Sequence, residues 1–299
     1  MPVLTAVLRD AATWRACATA HAERADALTA VWRAAHDAGR KHAVEDFLFT
    51  YYATRVGTLR RWHPGPGAAL EVPPDDERLA WRWHRATGDG GVTLDAAAYL
   101  AERGDTVRWV RGFVAATASR AGTFGCFGLH EWAMVYRDAA TGRDHRHPLP
   151  LRLGGDGTDA VVAGHRVTCS HIDAFRFFTP EARPLNALQP TRETQAAMEQ
   201  PGYLHAGMDL FKWALKLGPA VPGDLLLDAF ELARDIRYLD MQASPYDVSG
   251  YGLDAVAVET PAGKAEYVRR QRGFAERGQA VRARLVAACD AVLAAAAAA

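Results

Sequence analysis

The segment from Asp224 to Gln242 constrains this chain more than any other feature. Leu225, Ala229, Leu232, Ile236 and Leu239 fall on one stripe at three- and four-residue spacing, and Asp228, Glu231 and Asp235 fall on another. That period commits the segment to an amphipathic helix with its apolar face against a core. Tyr203 to Leu217 and the long run from Pro261 to about Ala296 carry the same signature. The N-terminal third repeats it. Asp10 is placed to cap a helix whose apolar positions include Trp14, Cys17, Leu28, Val31 and Trp32, with Gly39 as its stop. A second helical pattern runs from His42 to Trp62, and shorter ones from Leu94 to Arg103 and Asp105 to Ala118.

Two features interrupt this pattern. His63-Pro64-Gly65-Pro66-Gly67 and Val72-Pro73-Pro74-Asp75-Asp76 are too rich in Pro and Gly for regular structure. Between Gly122 and Pro190, β-like runs at His147 to Leu153 and Asp159 to Thr168 flank Gly154-Gly155-Asp156-Gly157, which reads as the turn of a small hairpin. The expected fold is therefore mainly α: a single helical domain over residues 1–299 with a small β-hairpin or sheet insertion in the middle. Its parts are a helical 1–121, a mixed β and loop segment 122–190, and a helical 191–299.

Composition narrows the setting. Lys and Arg number 35, as do Asp and Glu, so no net positive charge draws the chain to nucleic acid. Cys17, Cys126, Cys169 and Cys289 form no close pair, which points to a reducing compartment. With no signal-peptide pattern and no apolar run of the roughly 20 residues a membrane span needs, a cytoplasmic protein with no membrane partner is expected.

Polar residues with chemical potential gather in three places. His130 and Glu131 stand side by side in Gly128-Leu129-His130-Glu131-Trp132-Ala133-Met134-Val135-Tyr136, with His145 and His147 following. In the second, Cys169 to Pro180, an extended backbone would bring Cys169, His171, Asp173 and Phe175 to one face, beside Arg176. A His and an Asp together are a proton-transfer pair or two metal ligands. In the third, His205, Asp209 and Lys212 are related by i, i+4 and i, i+7, hence one helical face. Lys212 is one of four lysines among the 35 basic residues, a hint that an ammonium is wanted there. Arg237 and Asp240, at i, i+3 on the following helix, belong to this third cluster, the alternative for them being a plain surface ion pair. There is no GxGxxG after a strand, no GxxxxGK[ST], no HExxH, no GxSxG and no CxxC, which disfavours a phosphate cradle, a zincin and a nucleophile elbow.

Four runs carry a family resemblance: Asp46-Phe47-Leu48-Phe49-Thr50-Tyr51-Tyr52, Leu59-Arg60-Arg61-Trp62-His63-Pro64-Gly65, Gly128 to Tyr136, and Asp240-Met241-Gln242-Ala243-Ser244-Pro245-Tyr246-Asp247. From about Val44 to the C-terminal helix the chain resembles a bacterial family usually labelled 3-methyladenine DNA glycosylase. The resemblance implies an enzyme that extrudes an alkylated base and breaks its glycosidic bond. No catalytic residue is carried over from it. Where a helix-hairpin-helix glycosylase has its hairpin, His63-Pro64-Gly65-Pro66-Gly67 is followed by the helix-breaking Glu71-Val72-Pro73-Pro74, and Asp89 lies in a Gly-rich loop. Leu129-His130-Glu131-Trp132 echoes the Tyr-His-Asp-x-Glu-Trp-Gly run of the zinc-containing enzymes without its spacing.

Three functions follow. The first is an enzyme acting on a nucleobase or nucleoside by N-glycosidic bond hydrolysis, with Glu131, Asp173 and His171 as catalytic candidates. Its substrate contacts would be His130, Arg176, His205, Asp209, Lys212 and Asp240, with Trp132 and Phe175 for stacking. The second is a metal-dependent small-molecule enzyme, with ligands among His130, Glu131, His171, Asp173, His205 and Asp209 and a divalent metal as cofactor. The third is a non-catalytic protein binding a small ligand. All three expect the polar clusters to converge on one cleft, where they satisfy one another.

Overall fold

The computed structural model describes residues 7–142 and 148–297, and it is mainly α with one small sheet. Asp10 opens the first helix by accepting from the Thr13 N–H at 2.9 Å, satisfying a donor that every helix start leaves bare. The segment that follows is two helices, α1 (Ala11–Leu28) and α2 (Ala30–Asp37), joined at buried Thr29, whose hydroxyl donates back to the Ala25 carbonyl. His42 to Trp62 also divides, into α3 (Asp46–Tyr51) and α4 (Val56–Arg60), with Ala53 between them at φ 47°. The two short helices expected between Leu94 and Ala118 are instead one, α5 (Ala96–Ala118). Asp95 caps it by accepting from the Ala98 N–H, and Asp105 lies in its interior.

Short helices then alternate with loops: α6 (Leu129–Ala133), α7 (Asp138–Thr141), α8 (Gly154–Ala163), α9 (Ile172–Phe175) and α10 (Gln195–Met198). Three long ones complete the chain: α11 (Leu204–Leu217), α12 (Gly223–Ala243) and α13 (Pro261–Ala297). Helix α12 packs against α1, α11 and α13, and α13 also covers α5. One apolar cluster, from Ala25 to Val292, fills the space between them.

The sheet lies in the N-terminal third, not in the middle of the chain. Strands β1 (Val7–Arg9), β2 (Ala68–Glu71), β3 (His84–Ala86) and β4 (Gly91–Leu94) run in the order β1-β2-β4-β3. β1 is parallel to β2, and β4 is antiparallel to both its neighbours. Asp89 sits exposed in the turn between β3 and β4. Leu70 and Val92 pack on Trp14, a satellite of the main core.

The hairpin expected between His147 and Thr168 is corrected. Gly154 to Gly157 form the first turn of α8, where Asp156 faces the positive end of the helix dipole, and Thr158, Val161 and Val162 are buried. Burial of the valines against the core overrides their strand preference. Among the described residues the flanking segments make isolated bridges, Leu151 with Tyr246 and Val167 with Asn186. His145 and His147 lie outside the described residues.

Candidate functional site

Helix α6 begins after Gly128, whose φ of 71° turns the chain in a way that favours glycine. All five residues of α6 are buried. The Nε2–H of His130 donates to Asp240 Oδ1 of α12 at 2.9 Å. Arg237, one turn before Asp240, is itself buried. Its guanidinium donates to Asp240 Oδ2 at 2.8 Å and to Glu131 Oε1 at 3.2 Å, over the ring of Phe47 at 4.3 Å. Arg237 and Asp240 are thus an interior pair and not the surface ion pair of the alternative reading, because α12 is covered on more than one side.

The segment from Cys169 to Phe175 is not extended. His171 precedes α9 and Asp173 lies within it, yet both side chains still reach one place. The Nδ1–H of His171 donates to Glu199 Oε2 at 2.8 Å, and its Nε2 lies 3.7 Å from Asp209 Oδ2, buried and without a hydrogen-bond partner. Asp173 accepts from Lys212 Nζ at 2.9 Å and from Arg192, with Arg176 at 3.5 Å. Lys212 also donates to Asp209 at 2.8 Å, so the α11 face read from the i, i+4, i+7 spacing exists. His205 joins the two halves: its ring centroid is 4.4 Å from that of His130 and 5.2 Å from that of His171.

Nine of the eleven sequence candidates therefore come together: His130, Glu131, His171, Asp173, Arg176, His205, Asp209, Lys212 and Asp240. The aromatic pair stands apart. Trp132 is fully buried, its indole N–H donating to the Ala243 carbonyl, and Phe175 packs on Phe178 in the core. Neither lines the cavity at this site; Phe47, Tyr51, Phe177 and Tyr246 do. Sequence reasoning misses Glu199, Arg192 and Tyr51 because no spacing marks them. Arg237 does carry a signal, being adjacent to Ile236 on the core stripe of α12.

Two spaces meet at this cluster. An inner cavity of about 210 Å³ is bounded by Glu131, Asp173, His205, Arg237 and the four aromatics just named. An outer groove of about 830 Å³ shares Tyr51 and Asp173 with it and runs along Arg176, Arg192, Lys212 and Trp213.

The electrostatics are those of a site built around negative charge. Glu131, Asp173, Glu199, Asp209 and Asp240 are all buried, against the interior cations Arg237 and Lys212. Burial disfavours the imidazolium of His130, but Asp240 outweighs it and holds the pKa well above its ordinary value. The same contest at His171 is won by Glu199. His205, desolvated and facing His130, is pushed well down and stays neutral. Burial raises Asp209 and Glu131, whereas Arg192 and Lys212 overcome it at Asp173 and hold that carboxylate below its ordinary range. Two groups have ligand atoms within 4.8 Å of one another: His130 with His205 and Asp240, and His171 with Asp173 and Asp209. Five of the six metal candidates fall in these groups; Glu131 does not, and Asp240 stands in its place.

Comparison with known proteins returns no relative: no protein-family model, curated protein or solved structure matches this chain. Among the described residues, no helix is long and apolar enough to cross a membrane.

Proposed function

We propose that this protein is a metal-dependent enzyme acting on a small molecule, with His171, Asp173 and Asp209 holding a divalent ion. The observation that carries this reading is His171. Glu199 engages Nδ1 at 2.8 Å, so Nε2 is the ring nitrogen that faces Asp209, 3.7 Å away, buried and with no hydrogen-bond partner. An ion at this point would take Nε2 and the Asp209 carboxylate together, and a carboxylate behind a ligating imidazole is a recurrent metal arrangement. One His and two carboxylates suit zinc, manganese or iron. Such an ion polarises substrate oxygens and makes a bound water nucleophilic near neutral pH. The surrounding residues supply the rest. Lys212 and Arg192 pair with Asp173, and Glu131 and Arg237 bring a carboxylate and a guanidinium to the inner cavity.

The test is elemental analysis of untagged protein, followed by zinc and manganese titration of chelated protein by calorimetry. The expected result is stoichiometric metal, lost in Asp209→Asn while the circular dichroism spectrum is kept. Metal-free wild-type protein that binds neither ion would reject the reading.

A second reading, N-glycosidic bond hydrolysis in a nucleobase or nucleoside, is favoured by the inner cavity itself. Its volume is below the ~300–1,000 Å³ of drug-sized sites, four aromatics line it, and Glu131 lines it too, a carboxylate of the kind that would assist bond cleavage. Incubation with alkylated duplex DNA and with free nucleosides tests it; no released base from either sinks it.

A further inference from the structure

We infer that the outer groove is a subsite for a small planar aromatic anion, whose charged end meets Arg176, Arg192 and Lys212. This deepens the reading above, and rests on it only in placing the reacting end of the ligand at Asp173. Trp109, on the groove wall, is 48% exposed although it is a large apolar side chain. It is braced rather than loose: Phe113 stacks on it at 5.0 Å and 9°, and Trp213 lies 5.2 Å away. A rigid, half-exposed indole on a cavity wall is a preformed stacking surface, with its own packing already in place before a ligand arrives.

Charge lines the rest of the groove. Arg176, Arg192, Lys212 and Lys216 face it, against the carboxylates Asp105 and Asp173. The Asp105 side chain is fully exposed and pairs with Arg108, so Asp173 is the one buried acid in the groove. Lys212 is shared with Asp209 behind the groove, and the one Asp173 carboxylate also faces two guanidiniums, Arg176 and Arg192, whose remaining N–H donors are available to an anion. A further donor is already waiting. Gln195 is 7% exposed and lines the groove, its Oε1 accepts from Arg192, and its Nε2 is buried with no partner. An unpaired buried amide is costly unless a ligand acceptor completes it. Four cations against two carboxylates line this groove in a chain with zero net charge, so the local excess is not compositional.

Calorimetry with adenosine 5′-monophosphate, adenosine and inorganic phosphate tests the inference, in chelator and again with manganese. Wild-type protein should bind the monophosphate at least about tenfold more tightly than either part, the worth of one charge-assisted contact. Arg192→Ala should remove that advantage and Arg192→Lys recover part of it, while Trp109→Ala weakens the monophosphate and adenosine together. Adenosine matching the monophosphate would overturn the charged half, phosphate matching it would overturn the aromatic half, and no binding by any of the three would overturn both. A single-stranded oligonucleotide binding more tightly than the monophosphate would replace the small-molecule assignment with a nucleic-acid surface. Binding in chelator, by a protein that takes up no metal, would retire the metal centre and leave the subsite standing.

Discussion

The imidazole of His171 donates its Nδ1–H to Glu199 across 2.8 Å and turns an unpartnered Nε2 toward Asp209. The two contacts are one device, because fixing the proton on Nδ1 is what leaves Nε2 basic. Glu199→Gln keeps the shape and removes the charge that strengthens the ligand. Metal affinity is expected to fall by about 10- to 100-fold, the usual cost of losing such a support, with the melting temperature of chelated protein little changed. Titration of wild-type and variant protein with zinc under competition measures it; equal affinities would show that Glu199 does not tune the site.

Arg237 holds two buried carboxylates, Glu131 at 3.2 Å and Asp240 at 2.8 Å, and is itself 4% exposed. Removing one member of a buried ion network leaves uncompensated charge and costs about 3–5 kcal/mol. Arg237→Met, close in volume, should therefore lower the urea midpoint by that equivalent. Arg237→Met combined with Glu131→Gln should recover part of the loss, because one of the stranded charges is gone. A single variant as stable as wild type would mean that water reaches Glu131 and Asp240.

How much of this is legible in the sequence follows from which signals are local. His205, Asp209 and Lys212 share a face because helix periodicity is local, and the sequence displays it directly. An extended backbone would bring His171 and Asp173 to the site, but no such backbone exists. They reach it because a single helical turn, entered at His171, brings their side chains toward α11. The sheet is not legible: β2 is four residues between Pro- and Gly-rich stretches, and its partners β1 and β4 are distant in sequence. Conversely, Val161 and Val162 resemble a strand locally and are helical because burial against the core decides their state. Glu199 has no periodic partner at all, since its role is defined by a contact 28 residues away.

Gly202, two residues before α11, sets the position of His205. A Cβ there would lie 2.3 Å from the Thr123 carbonyl oxygen and 2.9 Å from its nitrogen. Neither is a flexible side chain, so the backbone must move. Gln200 ties the same two segments, accepting from the N–H groups of both Thr123 and Gly202. Gly202→Ala is expected to destabilise the fold by about 1–3 kcal/mol, as overpacking does, and to weaken metal binding by displacing the start of α11. Denaturation and metal titration on the same preparation check both effects; unchanged values would mean the loop yields freely.

His63, outside the proposed metal site, contributes a pH dependence of its own. Its ring packs edge-on against Trp81 and beside His84, Arg61 and Arg78 lie near, and its Nδ1 is buried without a partner. Burial is the main force on it, joined by its neighbours His84, Arg61, His21 and Arg78, and the pKa falls from 6.5 to about 3. The unfolded chain therefore takes up a proton in a range where the folded one refuses it. The stability that neutral His63 confers is complete above pH 6.5 and is lost as pH falls from there toward 3. At pH 5 the loss reaches about 2 kcal/mol, since each tenfold difference in proton uptake between the two states is worth ~1.4 kcal/mol. His21 and His84 are depressed chiefly by burial and act in the same sense. His63→Asn cannot take up that proton, so it should be less stable than wild type at pH 7.5 yet lose less on going to pH 5. Urea denaturation at the two pH values gives the difference of differences; a variant that loses as much as wild type would remove His63 from the acid response.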